Sequence, residues 1–460
     1  METLESTNLG VNVGPVNTGV SCVADDVYLL TDNQTKLQGL IDIAQHYGEM
    51  YRIKYGASKT VVSVVGSKPD MDYFNRIQPW IMDDKKVKVA EDNEHLGLIV
   101  SGVREEEKNV DQKLKKARGS LFGLLGPGLS RKSRLSPTVK LHLYRVYICP
   151  IARSGLSAMT LRTNYLNPLS IFQRKYLRGF LHLSDKSPIP ALFFLTGELP
   201  IEAKLHRDIF STLYNIWLNP QTKIYSLVKY LMENSPNNSR TWSQHVKNLV
   251  QMYGIADIDM NSTPPPKTKY KSNILVKITQ FWETKLRKDA QNNSRMKYLN
   301  VNLTGLSGRC HPVLREIITT QQVSKMRPHL RMLCNDYYTY EQKAKYQGGS
   351  AACRLCETNE PESLEHILTI CQNYSDVRGR VITEMKNILK DIDYIQTSEP
   401  IFSDNQNLAQ FILDCTSFNL PIRINYSDQI ASKIFELSRD LCFSIHKTRL
   451  YMLKELAEKA

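Results

Sequence analysis

The chain has 460 residues, of which 42% are hydrophobic and 23% are charged, values typical of a globular protein rather than a disordered one. Lysine and arginine number 60 against 46 aspartates and glutamates, and the net charge of +14 favours a polyanionic partner. No apolar run approaches the roughly twenty residues of a membrane span. The nine scattered cysteines, an odd number, do not indicate a disulfide framework. We therefore expect an intracellular protein with reduced thiols, in the cytoplasm, the nucleus or both, and no membrane association.

The N-terminal part of the chain mixes strand and helix patterns. Asp25 and Asp26 lie between two short apolar runs, in what is predicted to be a tight hairpin. Apolar positions at helical spacing predict an amphipathic helix over 33–49. The β-branched segment 60–66 and the glycine-closed segment 95–102 predict strands.

The aspartate pair has two interpretations that the residues alone leave open. Two-residue hairpin turns favour Asn-Gly or Asp-Gly because both central positions need positive φ, and an Asp-Asp turn adds charge repulsion. A solvated turn explains the pair, and so does a divalent cation, since Mg²⁺ requires hard oxygen ligands. Nucleotidyl transfer by two metals needs such carboxylates, held on neighbouring strands.

The segment from Arg104 to Lys186 is predicted to be helical and is strongly basic. It contains 17 lysines and arginines against 5 acidic residues, and no acidic residue lies between Asp111 and Asp185. This pattern favours contact with a phosphate backbone over an ordinary solvated face. The aromatic residues among these charges could stack on bases, but helix core is the interpretation we favour for them. The positions expected to contact phosphate are Lys113, Lys115, Lys116, Arg118, Arg131, Lys132, Arg134, Lys140 and Arg145.

A cysteine cluster lies further along the chain, in CRLCETNEPESLEHILTIC. Its C-x2-C-x9-H-x4-C spacing lets one turn aim two thiolates at a single ion, while a histidine projects from a helix and the last cysteine follows it. Four soft ligands with no open position are typical of a structural, tetrahedral Zn²⁺ site rather than a catalytic one. The predicted zinc ligands are Cys353, Cys356, His366 and Cys371.

The hairpin sequence VADDVYLL, the helix after it and then YGASKTVV resemble the palm of reverse transcriptases, and EHLGLIVSG resembles the primer-grip hairpin of that family. The resemblance implies that Asp25 binds Mg²⁺ with Asp26 beside it. It also implies that Lys59 donates a proton to the departing pyrophosphate, although plain surface charge explains a single loop lysine equally well. The primer-grip positions would be His95, Leu96 and Gly97.

The cysteine cluster followed by NYSDVRGR resembles the C-terminal zinc knuckle of non-LTR (LINE-like) retrotransposon proteins, and VKLHLYRVYICPIARSGL resembles the segment those proteins carry after the palm. The segments FFLTGELPIEAKLHRDIFSTLYNIW and QVSKMRPHLRMLCNDYYTY resemble the helical linker between thumb and knuckle. The implied fold is an α+β N-terminal partial palm, then a mostly α-helical thumb and linker, then a small zinc knuckle with C-terminal helices. The implied divisions are a palm at 1–103, a basic thumb-like segment at 104–186, helical linkers at 187–262 and 263–349, a CCHC zinc knuckle at 350–380 and C-terminal helices at 381–460.

The family also uses an upstream aspartate and a fingers subdomain, whereas 24 residues precede Asp25 and LGVNVGPVNTG carries no acid. The sequence therefore predicts an RNA- and DNA-binding reverse-transcriptase fragment that does not polymerise alone, because half of a two-metal site cannot position a nucleotide. One alternative is an active RNA-directed DNA polymerase completed by upstream sequence or a second chain. Another is a zinc-knuckle adaptor that binds protein. A homo-oligomer and a missing N-terminal polymerase half remain open as further partners.

Overall fold

The computed structural model describes residues 4, 6–66, 68–124, 135–236, 239–256, 258–303, 305–315, 317–391, 395–418 and 427–459. Three predicted basic positions, Arg131, Lys132 and Arg134, lie outside the described residues. The protein is mostly helical with a few small strands, which is compatible with an α+β fold. Among the described residues, no helix combines the length and the apolar character needed to cross a membrane.

The residue contacts group the chain into two compact units. Both combine stretches that are distant in sequence. Unit 1 consists of Met1–Lys115, Arg153–Asn167 and Leu205–Lys277, and unit 2 of Lys116–Ala152, Pro168–Lys204 and Ile278–Ala460.

Within the part of the chain that the structure describes, the strands are short and pair two by two. The antiparallel pairs are β1 (Asn12–Val13) with β2 (Val16–Asn17), β3 (Val20–Val23) with β4 (Asp26–Leu29), β6 (Ile81–Met82) with β7 (Lys85–Lys86), and β9 (Asp92–His95) with β10 (Leu98–Ser101). The parallel pair is β5 (Val61–Val62) with β8 (Lys88–Val89). The strand predicted over 60–66 is thus only two residues long. The segment 95–102 is not one strand, because its first residues turn the chain.

The helices carry most of the fold. Their bounds are α1 Gln34–Tyr51, α2 Lys68–Ile77, α3 Glu105–Leu124, α4 Pro137–Leu143, α5 Cys149–Arg153, α6 Thr163–Leu181, α7 Ile189–Thr196, α8 Ile201–Trp217, α9 Lys223–Asn234, α10 Trp242–Tyr253, α11 Lys267–Gln291, α12 Thr320–Leu333, α13 Tyr340–Gln347, α14 Ser375–Lys390, α15 Ile395–Ser403, α16 Asn405–Leu413 and α17 Ser427–Lys459. A π-helical turn at Tyr144–Ile148 joins α4 to α5, and a second covers His366–Ile370.

Helix α1 confirms the amphipathic helix predicted over 33–49. The side chain of Asn33 accepts hydrogen bonds from two backbone N–H groups of the first turn, which satisfies donors that the helix itself leaves free. The buried face of α1 packs in unit 1 against Trp80, whose indole N–H donates to the Gln34 carbonyl at 3.0 Å. The core around Trp80 also contains Ile41, Val62, Met82, Val87 and Val89.

Unit 2 is organised around α17, which packs against α12, α14 and α16. Its apolar stripe is buried inside the same unit and consists of Ile430, Ile434, Leu441 and Ile445. The aromatic residues of the basic segment are mostly core too. The ring of Tyr176 lies 5.1 Å from that of Tyr144 and 4.0 Å from that of Phe180, and all three side chains are buried. Helix core is therefore the correct interpretation for these rings.

Candidate metal centre and basic surface

A short hairpin presents the first two cysteines of the cluster. The backbone N–H of Cys353 donates to the Glu360 carbonyl at 2.8 Å, and the N–H of Glu362 donates to the Ala351 carbonyl at 2.8 Å. These two bonds close the loop that carries Cys353 and Cys356 and hold its ends together. Both sulfur atoms therefore project from one small turn that backbone hydrogen bonds close.

A π-helical turn brings His366 and Cys371 together. Residues five apart on an α-helix point about 140° away from each other, so a regular helix would separate these two side chains. Here the N–H of Cys371 donates to the His366 carbonyl at 2.8 Å, an i→i+5 bond that widens the turn. The N–H of His366 in turn donates to the Ser363 hydroxyl at 3.0 Å, which fixes the start of this helix.

The four predicted ligands converge. The sulfur atoms of Cys353, Cys356 and Cys371 and a ring nitrogen of His366 all lie within 4.8 Å of one another. Cys356 Sγ lies 3.3 Å from His366 Nε2. A tetrahedral zinc with bonds of about 2.0–2.3 Å requires ligand separations of about 3.5–4 Å, so the arrangement fits such an ion after small shifts of the side chains. This Cys3His centre could hold a metal ion and is consistent with structural zinc.

A carboxylate outside the ligand set orients the histidine. The Nδ1 atom of His366 lies 3.0 Å from Glu360 Oε2, and the imidazole itself is buried. With the proton on Nδ1 and donated to Glu360, the lone pair of Nε2 faces the three sulfur atoms. A carboxylate that accepts the outer N–H of a ligand histidine in this way fixes the tautomer and the orientation of the ring.

The three thiols differ in how readily they lose a proton. Burial raises the pKa of Cys353, and it raises the pKa of Cys371 to about 12. Burial also opposes the thiolate of Cys356, but hydrogen bonds, chiefly from Thr358, outweigh it and lower the pKa of Cys356 to about 7. A metal that binds all three as thiolates must therefore displace protons, chiefly from the two buried sulfurs.

A buried ion pair anchors the ligand-bearing segment 351–374 to the last helix. The carboxylate of Glu362 receives two parallel hydrogen bonds from Arg449 of α17, at 2.9 Å from Nε and 2.7 Å from Nη2. Burial works against the charged guanidinium, but the hydrogen bonds and the charge of Glu362 outweigh it and raise the pKa of Arg449. The backbone N–H of Tyr340 donates to the same carboxylate at 2.9 Å, so α13 begins at this pair. No local pattern pointed to Glu360, Glu362 or Arg449, since acidic residues are common in loops and Arg449 lies on a distant helix.

The aspartate pair lies on the predicted hairpin, but one residue away from the expected register. Val23 pairs with Asp26 across the two strands, so the turn residues are Ala24 and Asp25. Ala24 takes the positive φ of 55°, and Asp26 is already a strand residue. The turn therefore does not force two aspartates into left-handed backbone, and the strain argument for a cation at this position was wrong. Both carboxylates are exposed.

The structure does not bring a third acidic ligand to this pair within the described residues. Over those residues, the Cys3His centre is the one group of three or more potential metal ligands that lie close together. The Lys59 side chain is exposed, and its backbone N–H donates to the Gly56 carbonyl at 2.8 Å and closes a turn. The geometry thus gives no support to Mg²⁺ at Asp25 and Asp26.

The three positions predicted to form a primer grip lie at the tip of the β9–β10 hairpin. Leu96 and Gly97 are the turn residues, with φ of 49° and 77°, and His95 ends β9. The ring of His95 stacks 5.1 Å from that of Tyr28 on β4, so the two hairpins that resemble palm elements touch in unit 1. The ammonium of Lys113 donates to the Gly97 carbonyl at 2.7 Å and holds the tip against α3.

The basic positions that the structure describes fall into two groups. Lys115, Lys116 and Arg118 are exposed on α3. Lys113 and Lys140 are buried, and burial, together with the nearby charge of Arg327, lowers the pKa of Lys140 to about 8. These two buried lysines do not present their charges to a phosphate backbone.

Arg145 belongs to a buried ionic group rather than to an open surface. Its guanidinium contacts the carboxylate of Glu198, which also contacts Lys204 and is 3% exposed. It also donates to the Gly308 carbonyl at 2.9 Å. Two cations share this one carboxylate, so Glu198 orients the guanidinium of Arg145 but neutralises only part of the combined charge.

No protein-family model matches this chain, and no curated protein matches it in sequence. The geometry of the Cys3His centre and of the α3 surface is therefore the basis for functional conclusions.

Proposed function

We propose that the chain is a nucleic-acid-binding protein related to non-LTR retrotransposon reverse transcriptases, with a structural zinc in its Cys3His centre. The proposal depends most on the exposed face of α3 within a segment that has no acidic residue between Asp111 and Asp185. The order of the aspartate hairpin, the basic helices and the cysteine cluster supports the relationship. RNA and DNA are the partners that such a surface accommodates.

The exposed face of α3 has the composition of a backbone-binding surface. Lys115, Arg118 and Phe122 are three and four residues apart and share one side of the helix, and Phe122 is 67% exposed. The buried residues Val110 and Leu114 lie on an adjoining face of the helix. Because the cations have no acidic neighbours in sequence after Asp111, a phosphate backbone can release counterions on binding them, which makes affinity depend steeply on salt.

The double variant Lys115→Gln/Arg118→Gln should weaken binding to duplex DNA and flatten its salt dependence. Each lost phosphate contact is expected to reduce the slope of log affinity against log salt by about 0.9. Fluorescence anisotropy with a labelled mixed-sequence duplex at several salt concentrations measures both effects. The matched control is Lys269→Gln/Lys271→Gln, which removes two exposed lysines from α11. Equal losses from both variants would contradict a role for α3.

RNA-directed DNA polymerase activity is the second candidate function, and the hairpin that carries Asp25 and Asp26 is the observation that favours it. We expect no primer extension by this chain with an RNA template, dNTPs and Mg²⁺, because two exposed carboxylates do not clamp two metals. Asp25→Ala serves as the control. Extension by the wild-type chain that this substitution abolishes would establish the polymerase instead.

A further inference from the structure

An exposed tyrosine surrounded by cations lies at the end of α13, just before the ligand-bearing segment 351–374. The Tyr346 side chain is 64% exposed. The guanidinium of Arg295 lies 6.0 Å from its ring centroid, and the ammonium of Lys345 lies 5.9 Å from it. Both distances are within the range of cation–π attraction.

The charges around this ring are held in place. The Arg295 guanidinium donates to the backbone carbonyl of Lys186, and the short helical turn that carries Arg295 is capped by the side chain of Asn293. Hydrogen bonding with Arg295, followed by the positive charges of Arg295, Lys345 and Lys186, lowers the pKa of Tyr346. The local potential at this exposed ring is therefore positive.

A second ring with cations lies at the other end of the same helix. The guanidinium of Arg354 is 4.8 Å from the ring centroid of Tyr340, and the ammonium of Lys343 is 5.9 Å from it. Arg354 lies between the two cysteines of the C-x2-C turn, so metal binding fixes its backbone. The two tyrosines are six residues apart, which places them about 9 Å apart along the helix axis and about 120° apart around it, so the second ring faces a different side of α13. The one carboxylate of α13 is Glu341, in the first turn.

We propose that this surface of α13, defined by Lys186, Arg295, Lys345 and Tyr346, binds single-stranded nucleic acid. Tyr346 stacks on an unpaired base and the cations around it contact the flanking phosphates. A single strand supplies both a planar π-face and a negative backbone, and aromatic platforms lined with cations are how proteins bind it without sequence preference. A duplex hides its base faces, and an apolar peptide would leave the cations without partners.

This inference deepens the proposed function and rests on it only for the class of ligand. The α3 surface is assigned to the phosphate backbone of any nucleic acid, whereas the α13 surface is assigned to unpaired bases. The two sites therefore differ in their preference between single strands and duplexes, and separate substitutions can test them.

Tyr346→Ala should weaken binding of a labelled oligothymidylate or oligouridylate by about tenfold, because stacking is lost, while leaving duplex affinity unchanged. Tyr346→Trp should retain the affinity. The matched control is Tyr451→Ala: Tyr451 is 63% exposed on α17, and it hydrogen-bonds with the carboxylate of Glu455 instead of with an arginine. All variants are compared as the full zinc-loaded chain by anisotropy at one salt concentration.

The outcomes separate this inference from the function on which it rests. Loss of single-strand affinity in Tyr346→Ala but not in Tyr451→Ala or Tyr346→Trp supports the α13 surface. Unchanged single-strand affinity in Tyr346→Ala, in a chain that still loses duplex binding with the α3 variant, overturns the α13 surface alone. A wild-type chain that binds neither oligonucleotide nor duplex overturns both.

Discussion

Replacing Cys356 with serine is expected to release the metal from the Cys3His centre and to unfold residues 351–374. Cys356 is only half-buried and serine is nearly isosteric, so the direct loss of packing is small. The expected effect comes instead from the lost ligand, because binding free energy at a structural zinc site is also folding free energy. Metal analysis should return close to one zinc per wild-type chain and much less for the variant.

The geometry explains why this segment depends on a metal. Its hairpin is closed by two backbone hydrogen bonds, and the π-turn that follows is held by one i→i+5 bond at Cys371. Without an ion, burial keeps protons on Cys353 and Cys371, so these two sulfur atoms are neutral and contribute little attraction. Structural zinc binds zinc-finger peptides with an apparent free energy on the order of 10–16 kcal/mol. Zinc binding of that strength would supply the stability that the segment lacks without a metal.

A graded series tests the assignment. Glu360→Gln keeps all four ligands but removes the charge that orients His366, and it should lower zinc affinity by about 10–100-fold. Cys356→Ser should lower it further. Cys22→Ser, at a half-buried cysteine on β3, is the matched control and should leave zinc content unchanged. Competition with a chromogenic chelator gives the affinities, and hydrogen exchange over 351–374 gives the folding. A wild-type chain with this segment protected and no bound metal would overturn the zinc assignment.

The ligands of the Cys3His centre were predictable because they are local. Four side chains at characteristic spacing within one short segment identify a metal site without knowledge of the rest of the fold, and the structure brings all four together. Glu360 and Glu362 were not predictable, since their roles depend on which way the loop carbonyls and side chains turn. Arg449 lies 87 residues from its partner Glu362, and no local pattern links the two.

The basic segment shows the same limit. Its charge was visible in the sequence, but charge does not reveal which lysines a fold buries. Lys113 holds a hairpin tip through the Gly97 carbonyl, and Arg145 pairs with Glu198, 53 residues away. Helix periodicity did predict α1, because amphipathic spacing persists over several turns. The predicted strand lengths were wrong, since pairing partners rather than propensity decide where a short strand ends.

Arg449→Met should destabilise unit 2 by about 3–5 kcal/mol, the second large effect that we expect. The substitution leaves the carboxylate of Glu362, whose side chain is 0% exposed, buried without its cation. It also removes the ion pair that connects α17 to the start of α13, where the Tyr340 N–H donates to the same carboxylate. Urea unfolding followed by hydrogen exchange across α17 and 351–374 measures the loss. The matched control, Lys447→Met, removes an exposed cation two residues earlier and should stay within about 0.5 kcal/mol.

The double variant Glu362→Gln/Arg449→Met distinguishes a buried unpaired charge from a general packing defect. A glutamine still accepts the hydrogen bond from Tyr340, and it removes the charge that Arg449→Met leaves stranded. The double variant should therefore be more stable than Arg449→Met alone, because replacing both members of a buried ion pair costs less than removing one. Glu362 lies four residues before His366, so Arg449→Met should also weaken zinc binding, and the double variant should restore part of it. If the stability losses of Glu362→Gln alone and Arg449→Met alone simply add in the double variant, the pair acts through shape and not through charge.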